Sequence, residues 1–246
     1  MRERKAELCQ NLQSLQDEIQ MQALKFDRNP QDIHLVAVSK THPLSDILAV
    51  HEAGQKAFGE NKVQELCEKM QEASQVPEAQ DISWHLIGTL QRNKVKFVVG
   101  RVALIHSVNT LKLLEKLESI ATERGAEQDI LLQVNIAQEA SKQGFALEDL
   151  STAYTYVESC PHLHLRGLMT MAPDFSNKDD ALPIFQKCHG LYKDLQKVYG
   201  QDQINTLSMG MSADFPQAIA AGATHLRVGS HIFGARDYSK SPLSKS

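Results

Sequence analysis

Lys40 is the residue in this sequence whose surroundings most favour covalent chemistry. It ends the apolar run His34–Lys40 (HLVAVSK), in which Val36, Val38 and Lys40 recur at every second position. Residues two apart lie on one face of a strand, so the ammonium continues an apolar row. Removal from water disfavours the charged amine, and a neutral amine is a nucleophile toward aldehydes. The alternative interpretation is a surface lysine that opens a loop, and the strand pattern alone leaves both open.

Two segments near the end of the chain, GMSADFPQAIAAG and GSHIFGAR, have the residue types of an anion site. Ser212 precedes a predicted helix over 214–221, where a serine N-cap and unpaired backbone N–H groups favour an anion. Gly229 and Ser230 offer a closely approaching backbone and a hydroxyl at the start of a second short helix. Simple helix capping is the alternative for each motif taken alone.

Arg227 and His85 are the other polar candidates within predicted strands. Arg227 lies two residues before Gly229, on the same strand face. A buried guanidinium needs an acceptor, which is either a carboxylate or a ligand atom such as a ring nitrogen. His85 either borders a ligand or forms a satisfied hydrogen bond in the core, and the sequence leaves this open. His106 and His231 are expected to be structural or exposed.

The elements that position these residues follow from eight short apolar runs separated by helical patterns. The runs are His34–Lys40, Lys56–Asn61, Ile82–Gly88, Ala103–Val108, Asp129–Ile136, His164–Met169, Thr206–Gly210 and His225–Ser230. Mostly apolar strands that alternate with helices predict a parallel sheet covered on both faces. Eight such units without a break in composition predict an α/β protein with a single closed (β/α)8 barrel of the TIM type. Active groups of such barrels gather at the C-terminal ends of the strands, where these polar residues lie.

The first segment predicts an amphipathic helix within residues 1–28 that packs against the outside of the barrel. Its apolar positions recur at helical spacing; they are Leu8, Leu12, Leu15 and Ile19. Because no linker rich in Gly, Pro or Ser interrupts the chain, we expect one domain over residues 1–238. The polar end, residues 239–246, is expected to be disordered.

Composition and missing motifs exclude several classes of function. The net charge is −4 and no dense Lys/Arg stripe occurs, which argues against nucleic acid as the main partner. No run approaches the ~20 apolar residues of a membrane span. The charged N-terminal segment lacks the pattern of a secretory signal, so we expect a cytoplasmic location. The four cysteines, far apart and without a CxxC motif, predict free thiols and no zinc site.

Several blocks together resemble the pyridoxal phosphate homeostasis protein family. They are LVAVSKTHP, FGENKVQE, WHLIGTLQRNK, LRGLMTM and LSMGMSADFPQAIAAGATHLRVGSHIFGAR, and they occur in order from about residue 30 to residue 238. The resemblance implies a barrel like the N-terminal domain of fold-type III enzymes such as alanine racemase, without the C-terminal β domain. It also implies pyridoxal 5′-phosphate as the cofactor.

The resemblance assigns a role to each site residue. Lys40 is implied as the Schiff-base lysine, with Asn61 beside the cofactor ring and Arg227 near its pyridine nitrogen. The residues implied to hold the phosphate are Ser212, Gly229 and Ser230, and those implied to line the pocket are Met209 and His85. An arginine facing the ring nitrogen keeps it unprotonated, which weakens the cofactor as an electron sink.

The implied role is the storage, delivery or buffering of pyridoxal phosphate in vitamin B6 and amino-acid balance, without an established catalytic reaction. Pyridoxal phosphate-dependent apoenzymes are the implied partners, and a monomer is the expected state. The alternative is a small pyridoxal phosphate-dependent racemase or related amino-acid enzyme. Racemases of this fold use a tyrosine from an additional β domain, for which we expect no room here, and the five tyrosines fall in predicted helices or the tail. A phosphosugar-binding barrel enzyme without this cofactor is a third reading.

Overall fold

Eight parallel strands close into one barrel in the order in which they occur in the sequence. The computed structural model describes residues 2–138 and 143–234. The strands are β1 (His34–Val38), β2 (Ala57–Glu60), β3 (Ser83–Leu86), β4 (Leu104–Val108), β5 (Gln128–Gln133), β6 (Leu163–Met169), β7 (Thr206–Met211) and β8 (His225–Val228). Pairing of β8 with β1 closes the barrel. The predicted fold class is confirmed, and each predicted apolar run contains one strand or most of one.

Eight α-helices fall within the described residues. They are α1 (Arg2–Lys25), α2 (Leu44–Glu52), α3 (Val63–Ala73), α4 (Leu111–Arg124), α5 (Leu150–Glu158), α6 (Leu182–Tyr199), α7 (Phe215–Ala220) and α8 (Ser230–Phe233). Between β3 and β4 the crossover is a 3₁₀ helix, Arg92–Phe97. The limits of α4 show how local signals act: the Thr110 side chain accepts the N–H of Leu113, and Gly125 ends the helix in the left-handed conformation.

Helix α1 packs on the outside of the barrel. Its buried residues are Leu8, Leu12, Leu15, Ile19 and Ala23. Arg4 donates a hydrogen bond to the carbonyl oxygen of Phe233 at 2.8 Å and forms an ion pair with Asp46 at 3.0 Å. Asn11 donates to the carbonyl oxygen of Ile232 at 3.0 Å. The helix therefore holds the end of α8 and the start of α2, which both flank the C-terminal rim of the barrel.

Side chains of the strands form two separate cores. Outward-facing residues such as Ala37 and Phe58 belong to the large core between the barrel and its helices. Inside the barrel, Leu104, Leu131 and Met169 pack together as a smaller cluster. The alternation of the strands places successive residues in different cores.

The described residues contain no helix that is long and apolar enough to cross a membrane. The four cysteines are free thiols, with Cys160 and Cys188 buried. In residues 2–138 and 143–234 no group of three or more His, Cys, Asp or Glu side chains could hold a metal ion. The predicted disordered tail, residues 239–246, lies outside the described residues.

Candidate functional site

A cavity of about 340 Å³ opens at the C-terminal ends of the strands. Its lining comprises Val38, Lys40, His42, Asn61, Ile87, Met171, Met211, Ser212, Ala213, Arg227, Gly229, Ser230 and Gly234. Six of the eight predicted site residues are among them. The structure therefore brings together residues from both ends of the sequence at the rim where barrels of this type carry their active groups.

Lys40 reaches this cavity through the predicted row of alternating residues on β1. Val36 is fully buried and pairs in register with Arg227, so this row faces the barrel interior. Val38 and Lys40 follow it into the cavity lining. Lys40 itself is half-buried. The apolar row predicted from the sequence is thus the wall from which the lysine projects.

The backbone directly after Lys40 is held in an unusual conformation. Thr41 has a φ of +68°, in the left-handed region that β-branched residues rarely adopt. Its N–H donates to Glu65 Oε1 at 2.5 Å. Such conformations cost about 1–3 kcal/mol and persist where the surrounding structure imposes them, often at functional sites. The side chain of Glu65 on α3 therefore helps to set the direction in which the chain leaves Lys40.

A buried ion pair also supports the backbone at Lys40 and Thr41. Lys69 Nζ on α3 lies 2.6 Å from Glu60 Oε1 and 2.8 Å from Glu65 Oε1, and it donates to the carbonyl oxygen of Ser39 at 2.8 Å. The Ser39 hydroxyl donates to Glu60 Oε1 at 2.7 Å. Burial raises the pKa of Glu60 to about 7 although Lys69 opposes the shift. These contacts join the ends of β1 and β2, next to Lys40 and Asn61.

Two glycines allow the walls of the cavity to approach each other. A Cβ added at Gly229 would lie 2.6 Å from the carbonyl oxygen of Val38. A Cβ at Gly88 would collide with the backbone of Asn61. In both places a side chain would displace backbone, so the close contacts of β8 with β1 and of the β3 loop with the β2 loop depend on glycine.

The expectation of a serine N-cap at Ser212 is wrong. Helix α7 begins at Phe215, and Asp214 occupies the N-cap position without a side-chain capping bond. The Asp214 carboxylate instead accepts the N–H of Met211 at 2.6 Å, which bends the loop over it. Burial raises the pKa of Asp214. Ser212 lies in this loop and lines the cavity with no part in the helix cap.

Met209 and His85 do not line the cavity, in contrast to what the resemblance implied. Met209 is fully buried in the outer core, because its neighbour Ser208 points into the barrel and successive residues alternate. His85 lies in the barrel interior, where it makes hydrogen bonds to His106 at 2.9 Å and Ser83 at 3.1 Å. Burial lowers the pKa of His85 to about 4. Of the two interpretations of His85, the geometry therefore favours a core histidine whose hydrogen bonds are satisfied.

Arg227 has neutral hydrogen-bond partners. Its two terminal nitrogens donate to the Ser208 hydroxyl at 2.6 Å and to the carbonyl oxygen of Thr170 at 3.0 Å. No carboxylate forms an ion pair with it within residues 2–138 and 143–234. Burial lowers the pKa of Arg227 to about 10, so the group stays charged at neutral pH. The hydrogen-bond partners of the buried cation are therefore neutral, while the charge of Asp214 acts to raise its pKa without a direct ion pair among the described residues.

Sequence reasoning missed part of the lining. The additional residues are His42, Ile87, Met171, Met211, Ala213 and Gly234. Most of them end a strand or follow one within two residues, which is the signal that could have found them. His42 lies in the loop after β1 and stacks on Phe233 of α8 with ring centroids 4.8 Å apart. Only the contact between the loop after β1 and helix α8 shows that His42 lies at the cavity.

A second depression of about 370 Å³ lies on the outer surface, beside α4. Arg92, Lys112, Glu115 and Lys116 are among its lining residues. It contains no strand end, so it lies away from the polar groups of the rim.

The comparisons with known proteins agree with this geometry. The family model described as alanine racemase, N-terminal domain, matches residues 10–237. The pyridoxal phosphate homeostasis protein of Haemophilus influenzae is 39% identical over 231 residues, which cover 94% of this chain and 97% of that protein. The chain belongs to the pyridoxal phosphate homeostasis protein family. This confirms the resemblance stated from the sequence blocks.

Solved structures similar to this family member include PipY of Synechococcus elongatus in two forms. The form without pyridoxal phosphate is 36% identical with a TM-score of 0.82, and the form with pyridoxal phosphate bound is 35% identical with a TM-score of 0.79. Each comparison covers 93% of this chain and 100% of PipY. The likeness therefore extends over the whole barrel.

Proposed function

We propose that this chain binds pyridoxal 5′-phosphate in the cavity, with Lys40 as the point of covalent attachment. It acts in pyridoxal phosphate homeostasis and amino-acid balance without catalytic turnover. One observation carries the proposal: the cavity brings the Lys40 amine, the Arg227 guanidinium and the hydroxyls of Ser212 and Ser230 to one rim. The names of the relatives, and the PipY structure with pyridoxal phosphate bound, support it.

The residues present fit this cofactor in size and chemistry. A volume of about 340 Å³ lies within the ~300–1,000 Å³ of small-molecule pockets. Hydroxyls and backbone at Ser212, Gly229 and Ser230 would hold the phosphate group. Asn61 and the Arg227 guanidinium would face the ring. Each polar part of the cofactor then meets a group of complementary chemistry.

When bound, pyridoxal phosphate supplies an aldehyde that condenses with amines and a ring that withdraws electrons from bonds next to the attached nitrogen. Arg227 weakens the electron withdrawal by the ring. A guanidinium has only donors and stays charged at neutral pH, so it disfavours a proton on a ring nitrogen that faces it. A ring without that proton is a weaker electron sink.

The position of the tyrosines also supports the absence of turnover. No tyrosine lines the cavity within the described part of the chain. Tyr154 and Tyr156 lie on α5, and Tyr192 and Tyr199 lie on α6, outside the barrel. The tyrosine that supplies the second acid/base in a racemase of this fold is therefore not matched by a tyrosine among these lining residues.

The decisive experiment is a titration of the purified protein with pyridoxal phosphate, followed by absorbance. We expect an imine band in the wild type, and borohydride reduction followed by peptide mapping is expected to place the cofactor on Lys40. Lys40→Ala abolishes the band, whereas Lys116→Ala, at an exposed position on α4, leaves it unchanged. A band that persists in Lys40→Ala, or a reduced adduct on another lysine, contradicts the proposal.

The absence of turnover is tested with the same holoprotein. It is incubated with L-alanine and other amino acids in deuterated water, and the α-proton is followed by NMR. We expect no stereospecific exchange at catalytic rates. Such exchange, lost in Lys40→Ala, would assign the protein to the alternative class, a small amino-acid racemase.

Transfer of the cofactor to pyridoxal phosphate-dependent apoenzymes, a monomeric state and a cytoplasmic location belong to the same proposal. Transfer is measured as the recovery of activity of an apoenzyme mixed with the loaded protein. Light scattering at a range of concentrations measures the oligomeric state.

A further inference from the structure

A chain of hydrogen bonds runs through the barrel interior below the cavity and ends on Arg227. Ser208 Oγ accepts from Arg227 at 2.6 Å and lies 2.8 Å from His106 Nδ1. His106 Nε2 lies 2.9 Å from His85 Nδ1, and His85 Nε2 lies 3.1 Å from Ser83 Oγ. The chain joins β8, β7, β4 and β3, which cross the barrel from one side to the other.

The donor groups of arginine, together with the need to satisfy the single hydroxyl proton of Ser208, indicate the direction of the bonds in this chain. A guanidinium can only donate, so Ser208 Oγ accepts from Arg227. The other hydrogen-bond partner of the Ser208 hydroxyl among the described residues is His106 Nδ1, so its proton is satisfied when Ser208 donates to His106. A neutral imidazole that accepts at Nδ1 carries its proton on Nε2. His106 therefore donates to His85 Nδ1, and His85 donates to Ser83.

Burial keeps both imidazoles in the neutral form that this pattern requires. His106 and Ser208 are fully buried, and His85 is 6% exposed. Burial lowers the pKa of His106 well below its ordinary value, and the nearby charge of Arg227 acts in the same direction. A cationic His106 would have a donor at both nitrogens and could not accept the Ser208 proton. One arrangement of protons thus satisfies the whole chain.

The arrangement holds the guanidinium in a defined orientation. Ser208 and the carbonyl oxygen of Thr170 take one N–H from each terminal nitrogen, on the side toward the barrel interior. The group also lines the cavity, where it is 4% exposed. Without an ion-paired carboxylate among the described residues, these two acceptors are what orients it.

We propose that His106 and His85, although outside the cavity lining, are positioning residues that act through Ser208 to orient Arg227 toward the ring nitrogen of the bound cofactor. This inference rests on the proposed function. It assigns to two buried histidines a specific effect on the electronic state of the ring, namely that the ring nitrogen stays unprotonated.

The first part of the test uses the protein without cofactor. Imidazole ¹⁵N NMR of uniformly labelled protein is expected to show both His85 and His106 as neutral rings protonated on Nε2. The resonances are assigned with His85→Asn and His106→Asn. A cationic His106, or one protonated on Nδ1, overturns the proposed chain.

The second part uses pyridoxal phosphate labelled with ¹⁵N in the ring. In the wild type we expect the shift of an unprotonated pyridine. His106→Leu and Ser208→Ala are expected to move it toward the protonated value and to weaken binding about tenfold, because a hydrogen bond to a charged group is lost. His106→Asn, which keeps an acceptor for Ser208, is expected to restore most of the wild-type shift.

Leu131→Ala is the matched control for a merely structural effect. Leu131 lies inside the same barrel but belongs to its apolar cluster. The control is expected to lower stability and leave the ring shift unchanged. If His106→Leu behaves in the same way, the positioning role is wrong; should His106→Leu fail to fold, Ser208→Ala decides in its place.

The two proposals fail in different ways. A wild-type protein that binds no pyridoxal phosphate overturns the proposed function and with it the role toward the ring. A wild-type protein that binds through Lys40, with an unaltered ring shift in both His106→Leu and Ser208→Ala, overturns the positioning role alone.

Discussion

The two sides of the barrel interior are built from the same kind of strand but hold different side chains. On the side of β4, β5 and β6, the apolar side chains of Leu104, Leu131 and Met169 fill the space. On the side of β7 and β8, Ser208 and Arg227 leave a polar cavity open to the rim. Packing orders the first group of side chains and hydrogen bonds order the second, and His106 on β4 and His85 on β3 extend the hydrogen-bonded group across the barrel.

The difference indicates that stability and ligand binding reside in different parts of one fold. Close packing of apolar side chains stabilises a domain because voids cost free energy. Buried polar groups contribute little net stability, but they orient their partners when every donor and acceptor is satisfied. Substitutions on the two sides are therefore expected to have separable effects.

The largest effect on stability is expected from Leu131→Ala on the apolar side. Leu131 is fully buried in the small inner cluster. Loss of its side chain leaves a cavity and is expected to lower the free energy of unfolding by about 2–5 kcal/mol. The affinity of the folded protein for pyridoxal phosphate is expected to stay within about twofold of the wild type, since Leu131 is not among the residues that line the cavity. Urea unfolding and an absorbance titration measure the two quantities, and a parallel loss of affinity contradicts the separation.

Ser230→Ala, on the polar side, is expected to leave stability nearly unchanged and to weaken binding. Ser230 is exposed at the start of α8 and lines the cavity, so the free energy of unfolding is expected to change by less than about 0.5 kcal/mol. Binding is expected to weaken by about 1.5–3 kcal/mol, the contribution of a hydrogen bond to a charged group. Ser159→Ala, at an exposed position after α5, is the matched control and is expected to change neither. An unchanged affinity in Ser230→Ala would remove this hydroxyl from the phosphate site.

A smaller effect, on the pH dependence of stability, is expected from His85. Burial lowers its pKa from 6.5 to about 4 in the fold. Between these values the unfolded chain binds the proton and the folded protein does not, so stability is lost as the pH falls. We expect His85 to lower the free energy of unfolding by about 2 kcal/mol when the pH falls from 8 to 5.

This pH effect is measured as the difference between the wild type and His85→Asn in urea unfolding at both pH values. The comparison with His85→Asn is needed because Glu60 changes the pH dependence of stability in the opposite direction. Its pKa is raised from 4.5 to about 7 by burial, so its contribution is lost as the pH rises through this window. Equal slopes for the two proteins would show that His85 is not held neutral in the fold.

The pattern of apolar residues along the chain was sufficient to predict the barrel and the strand row that ends in Lys40. A strand of alternating residues has only two faces, so the row of Val36, Val38 and Lys40 could be assigned before the fold was known. The order of eight strand and helix units predicted closure, because short right-handed crossovers leave few other arrangements. The sequence blocks alone were also sufficient to predict the family, which the comparisons confirmed.

Only the tertiary structure decided which polar groups meet. Met209 was expected in the pocket and lies in the outer core, and Ser212 was expected as a helix cap and lies in a loop. The chain from Ser83 to Arg227 joins residues from both halves of the sequence, and no local pattern encodes a contact across a closed barrel. Periodicity is a property of neighbours in the sequence, whereas hydrogen-bond partners depend on where distant strands come to lie. The sequence by itself thus determined the elements and the strand row that ends in Lys40, and the closed barrel determined that Lys40 and Arg227 line one cavity.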